Sequence, residues 1–198
     1  MSRCMCKFSK SDRAKLGNTV VYISNKVQHL HKTKLLKLLY LMEESMVKAY
    51  HVPFLAIPYE TWKLGPVQKD VFVEISDGAK DLLGEYISVN SDEEIVARAA
   101  FDDSEFSDAE IGMMNSVLEK YGKYSAEQLV DLLHQKDGLW YQTASEHGLI
   151  EAFNDNLENN SDVRLEFSNL LSGCERDFYE ETLNVKLNAR LMRSEAHV

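Results

Sequence analysis

The sequence predicts a mainly α protein: a single-domain helical bundle carrying a small β-hairpin insertion. Three observations predict it. Apolar residues recur at alternating steps of four and three along much of the chain, the period of one helix face. Two capping boxes, Ser107-Asp-Ala-Glu110 and Ser125-Ala-Glu-Gln128, announce helix starts. Only 3 prolines and 9 glycines punctuate 198 residues, which suits long uninterrupted elements better than many short strands.

Taken in order, Leu16, Val20, Ile23, Val27 and Leu30 form the stripe of a first helix, with Ser9 or Ser11 as its N-cap. A second helix runs from about Thr33 to Tyr50 on Leu35, Leu38, Leu39, Met42 and Met46. Pro53 and Pro58 bracket an extended stretch. Gly65-Pro66 reads as a corner into a third helix, with Pro66 at its first position, where a missing N–H costs nothing, and with Val67, Val71, Phe72 and Ile75 following. Tyr86 to Val89 and Glu94 to Ala97 flank Asn90-Ser-Asp-Glu93 and form the hairpin. The first capping box opens a helix through Ile111, Met114, Val117, Leu118 and Tyr121, ended by Gly122. The second opens one through Leu129, Leu132 and Leu133, and Trp140-Tyr141 start another. Asn154 to Asp162 is a polar connector. Two helical patterns close the chain: Val163, Phe167, Leu170 and Leu171, then Phe178, Thr182, Val185, Ala189 and Met192.

The bulk numbers narrow the function classes. Residues 1–198 are read as one domain, since a chain of this length buries about 70% of its unfolded surface around one core. With 22 basic and 32 acidic residues the formal charge is −10, which repels phosphate backbones and anionic lipid, so nucleic acid and membrane are not expected partners. Three cysteines, Cys4, Cys6 and Cys174, give no disulfide framework and fit a reducing compartment. The first residues lack the apolar region of a secretion signal, and the longest apolar run, Leu38 to Met42, is too short to span a bilayer. A cytoplasmic location is expected.

Several blocks together resemble a known family. Lys34-Leu-Leu-Lys-Leu-Leu-Tyr-Leu41, Tyr59-Glu-Thr-Trp62, Gly65-Pro-Val67, and the run from Tyr121-Gly122 through Leu132-Leu-His134 to Trp140 resemble the Panacea domain. That family includes SocA-like antitoxins and phage-associated GepA proteins. The resemblance covers roughly residues 10 to 145, with the C-terminal helices, about 161–192, packed on that core. The chain departs from the pattern at Leu133, where many members carry threonine, and at Gly138-Leu139, where many carry proline before the tryptophan. The resemblance implies a helical domain that binds and neutralises a partner toxin. It also implies an alternative, an adaptor that delivers a client protein to the unfoldase of an energy-dependent protease.

The candidate partner-binding residues are Lys34, Lys37, Tyr40, Trp62, Lys63, Gly65 and Pro66. The leucines of the second helix pack inward, whereas Lys34, Lys37 and Tyr40 lie off the deepest stripe, and tyrosine is a residue type enriched at interfaces. Trp62 and Lys63 sit at the rigid Gly65-Pro66 corner, and tryptophan commonly dominates binding energy. Val67, His134 and Trp140 are structural, the last two closing one helix against the next.

Chemistry-bearing patterns are missing. There is no Gly-x-Ser-x-Gly elbow, no glycine-rich phosphate loop and no His-Glu-x-x-His, so no catalytic residue and no cofactor is expected. Asp102-Asp103 and Glu93-Glu94 read as solvated acidic turns. His29 and His31 would point about 200° apart on a helix, and Cys4 and Cys6 lack a matching second half, so no metal is expected either. A DNA-binding regulator is the remaining alternative, motivated by Lys26, Lys32, Lys34, Lys37 and the short helix connection at Tyr121-Gly-Lys-Tyr124, and opposed by the acidic balance.

Overall fold

The computed structural model describes residues 8–195. Its first helix, α1 (Lys10–Lys26), opens on a capping box in which Ser9 Oγ accepts the Asp12 N–H while the Asp12 carboxylate accepts the Ser9 N–H. There follow α2 (Lys32–Tyr50), a hairpin of β1 (Glu60–Trp62) and β2 (Gly65–Val67), and α3 (Lys69–Ser76). A second hairpin of β3 (Ile87–Val89) and β4 (Ile95–Ala97) precedes α4 (Asp108–Tyr121) and α5 (Ala126–Leu133), both with the expected capping boxes at Ser107 and Ser125. The chain continues through α6 (Leu139–Glu146), α7 (Leu149–Asn154), a 3-10 turn (Phe167–Leu170) and α8 (Gly173–Glu195). The fold is mainly α, with two small antiparallel hairpins.

The centre of the molecule is α2. Leu35, Leu36, Leu38, Leu39, Leu41 and Met42 are all buried, so this helix is covered nearly all round instead of showing one apolar stripe. It packs against α3, α4, α5, β2 and the 3-10 turn. At its far end the buried Glu43 accepts the N–H groups of Phe54 and Leu55, each at 2.8 Å, which satisfies two backbone donors of the irregular stretch between Pro53 and Pro58. The second hairpin lies across α1, where the Tyr86 ring approaches Gly17 so closely that a Cβ there would sit 2.3 Å from a ring carbon. One contiguous core runs from Leu16 to Tyr179, beside a smaller cluster of Trp140, Ala144, Leu149 and Phe153.

Three expectations are corrected. Gly65-Pro66 does not enter a helix: it forms β2, paired Trp62↔Gly65, Thr61↔Pro66 and Glu60↔Val67, and α3 starts later, capped by Gln68 Oε1 on the Val71 N–H. Proline is tolerated in this strand because the opposing Thr61 turns its N–H the other way, to Val163 O at 2.8 Å, so no ladder bond from position 66 is lost. The pattern from Val163 to Leu171 is not an α-helix either. Its first residues run along the edge of β1, with Leu165 N donating to Tyr59 O at 2.9 Å, and only Phe167–Leu170 closes into a 3-10 turn. Backbone groups committed to a strand edge are unavailable to a helix. Finally, α8 forms, but the stripe expected to pack turns outward. Its inward row is Tyr179, Leu183, Lys186 and Arg190, the cations reaching backbone carbonyls and Asp12.

Candidate functional site

The blocks that carry the family resemblance are far apart in sequence and meet around the β1–β2 hairpin. Residues Lys63 and Leu64 form its two-residue tip. Gly65 holds φ +97°, a conformation that favours glycine. A Cβ at this position would also lie 3.2 Å from Lys37 Nζ and 3.7 Å from His134 Nε2. Gly65 is therefore where α2 and the α5–α6 corner close on β2 from beneath.

The floor of the hairpin is Lys37, only 1% exposed, whose Nζ donates to Pro66 O at 2.9 Å. Burial pulls its ammonium down from 10.5 to about 7. Beside it His134 stacks flat on Trp140, with ring centroids 3.8 Å apart and planes 5° from parallel. Burial, and then the Lys37 charge, push His134 down to about 4, so the imidazole is neutral at physiological pH, and its Nε2 has no hydrogen-bond partner. Trp140 Nε1 donates to Trp62 O at 2.9 Å, tying α6 to β1. A third tether comes from the polar connector: Lys63 N donates to Asn159 O at 3.0 Å, Ser161 Oγ donates to Thr61 O at 2.6 Å, and the Lys63 ammonium meets the Asn156 amide oxygen.

Above this floor the surface is partly apolar. Leu64 at the tip is 56% exposed. Trp62 is half-buried, its ring edge-on to Phe72 at 4.9 Å, and its Nε1 donates to Glu60 Oε2 at 2.9 Å. The Lys32 ammonium lies over the Phe72 ring, 4.4 Å from its centroid, and Lys69 pairs with Glu60 at 3.6 Å. The corner thus offers an aliphatic tip, a tryptophan edge and several cations on a backbone pinned from three sides.

The candidate residues divide accordingly. Trp62 and Lys63 lie at this surface, and Lys34 is half-buried. Lys37 and Tyr40, expected off the deepest stripe, are buried, each 1% exposed; α2 is enclosed on nearly every side, so no solvent face exists there for them. Tyr40 instead packs among Tyr59 and Phe167 and donates its hydroxyl to Glu44. Gly65 and Pro66 are buried, Val67 is part of the main core, Trp140 belongs to the smaller cluster, and His134 is half-buried where it stacks on Trp140. Leu64 is the residue that sequence reasoning missed. Its signal was present: Lys63-Leu64 lies between a β-prone Glu-Thr-Trp and a glycine suited to a positive φ.

Residues 35–141 match the family model described as antitoxin SocA-like, Panacea domain. The chain belongs to this Panacea family. The matched region opens on α2 and closes just after Trp140, so Lys37, the hairpin, His134 and Trp140 are all inside it, whereas α1, α7 and α8 lie outside. No curated protein and no solved structure matches the chain. Among the described residues no three His, Cys, Asp or Glu side chains gather as a metal ion would require. His29 instead pairs with Glu94, and His31 contacts Glu93 O; Cys4 and Cys6 lie outside the described residues. No helix among the described residues is long and apolar enough to cross a membrane.

Proposed function

We propose that this Panacea protein is an antitoxin-type module that neutralises a partner toxin by direct binding, with Trp62, Lys63 and Leu64 at the β1–β2 corner as its grip. The observation that carries this reading is an exposed aliphatic tip held on a backbone that Lys37, Trp140 and the 159–161 connector immobilise. A surface whose geometry is fixed before binding loses little conformational freedom on association. Tryptophan, here Trp62 beside the exposed Leu64, is among the residue types that dominate interface energetics. The protein acts by occupying a surface of its partner, with no chemistry of its own.

The test co-expresses the protein with the product of each flanking gene, after that product has been assayed alone for toxicity. Leu64→Asp changes only the exposed tip and Lys63→Glu also loses the contact with the Asn156 amide while keeping the backbone tethers, so both variants are expected to fold, to lose co-purification with the toxin and to restore its toxicity. Folded variants that bind and neutralise like the parent would remove the hairpin from consideration. Lys37→Glu is unsuitable as a surface probe, because it places a carboxylate against Pro66 O in a buried site. The same strains separate the adaptor alternative. Toxin that vanishes in the presence of the antitoxin, and reappears when the host's energy-dependent proteases are deleted, would replace stoichiometric neutralisation by delivery. The DNA-regulator alternative draws no support from Lys37, whose ammonium is turned to Pro66 O and not to solvent.

A further inference from the structure

The polar connector that follows α7 carries a single apolar residue. Between Asn154 and Asp162 every side chain is Asn, Asp, Glu or Ser, except Leu157. It is 77% exposed, more than any other large apolar side chain among the described residues. A lone exposed leucine is ordinary and carries no meaning by itself. What sets Leu157 apart is how the backbone holds it, and beside what.

Helix α7 ends on Asn156 at φ +55°, with the Asn156 N–H donating to Phe153 O at 3.3 Å and the Leu157 N–H to Ala152 O at 2.9 Å. Together these bonds make a Schellman cap. An apolar residue in the position of Leu157 frequently packs back on the last turn of its own helix. Here the cap fixes the residue and leaves it in solvent. The same turn runs along Lys63. The Lys63 N–H donates to Asn159 O at 3.0 Å, while its ammonium meets the amide oxygen of Asn156. Leu64 therefore adjoins the backbone end of Lys63, and Leu157 adjoins the residue at its ammonium end. The apolar stem of the lysine runs between the two ends, and long cationic side chains commonly lend such stems to a surface. Two exposed leucines from distant parts of the chain thus flank one lysine that is tied at both ends.

We infer that Leu157 is a second anchor for the partner protein, meeting an apolar surface of that partner alongside Leu64. The inference rests on the antitoxin reading above and deepens it. Leu64 lies inside the matched family region and Leu157 outside it, so the connector supplies a contact that the shared domain does not. A residue of that kind separates one partner from another, because specificity is a difference between affinities.

The test measures, by calorimetry, binding of the full-length protein to the flanking-gene product that co-purifies with it. Leu157→Ser is expected to weaken binding about ten-fold or more at an unchanged melting temperature. Leu157→Met, which keeps the apolar volume, is expected to stay within about two-fold of the parent. Glu158→Ser, one residue away, is expected to do the same. Parent-like binding by Leu157→Ser would overturn the inference, and so would an equal loss in Glu158→Ser, which would assign the effect to the connector as a whole. A concentration-dependent dimer that Leu157→Ser dissolves would give the leucine to a second copy and overturn it as well. Loss of binding in Leu64→Asp with none in Leu157→Ser would leave the hairpin reading standing and remove this one alone. A parent protein that binds neither flanking-gene product would remove both.

Discussion

Replacing Lys37 by methionine removes a buried charge while keeping most of the side chain's length. Burial lowers the ammonium from 10.5 to about 7. At about 1.4 kcal/mol per unit, the folded state bears roughly 4–5 kcal/mol for holding that proton. Below about pH 7 both folded and unfolded chains are charged at this residue, and the whole cost is present. Between about 7 and 10.5 the unfolded chain binds a proton that the folded chain does not, so stability climbs with pH; above that window neither binds it and the cost is gone. From pH 6 to pH 9 the parent therefore gains roughly 2–3 kcal/mol through this one group. Lys37→Met lacks the gain. It also leaves Pro66 O without its donor, a loss of about 1–3 kcal/mol that does not vary with pH. Urea denaturation of both proteins at pH 6, 7, 8 and 9 separates the two effects, because only the first changes the slope. Parallel stability curves for parent and variant would refute the reasoning, showing that the ammonium reaches water in the folded state.

Three further outcomes follow from the same site. Gly65→Ala should destabilise the protein by about 1 kcal/mol or more in thermal denaturation, since alanine is strained at φ +97° and its Cβ would crowd Lys37 Nζ at 3.2 Å. Trp140→Phe keeps an aromatic ring against His134 but removes the donor to Trp62 O, and should cost about 1–3 kcal/mol while raising the hydrogen exchange of β1 amides. His134 takes up a proton near 6.5 in the unfolded chain but only at about 4 in the folded one, so stability should fall as pH drops through that interval. His134→Phe should lower the sensitivity of the melting temperature between pH 7 and 5, and an unchanged acid limb would exclude the histidine as its source.

How much of this was legible in the sequence depends on the range of the forces involved. Helix starts are local: a serine side chain and the N–H three residues on decide a capping box, and Ser107 and Ser125 are found where the sequence puts them. The β3–β4 hairpin is local in the same sense, with its strands close to the expected bounds. The helix periodicity of α1, α2, α4 and α5 likewise survives, because an apolar stripe requires only a neighbour to cover it. Periodicity does not say which side the neighbour takes. On α8 the regular apolar row is the outward one, and the helix is instead held by Tyr179 and two cations that find carbonyls and Asp12 more than a hundred residues away.

The site divides along the same line. Sequence alone determined that α2, the Trp62 corner and the His134–Trp140 run belong together, because their order and residue types mark the family. Only the tertiary structure decided their roles. Lys37 is a floor and not a contact, because five elements close around α2 and remove the solvent that its charge would otherwise occupy. Gly65-Pro66 is a strand and not a helix start, because it pairs back on β1, and the proline is tolerated there because Thr61 gives its N–H to Val163, a residue that no local rule connects to it. Burial and long-range hydrogen bonding are properties of what lies opposite, and a residue's own neighbours in sequence carry little of that information.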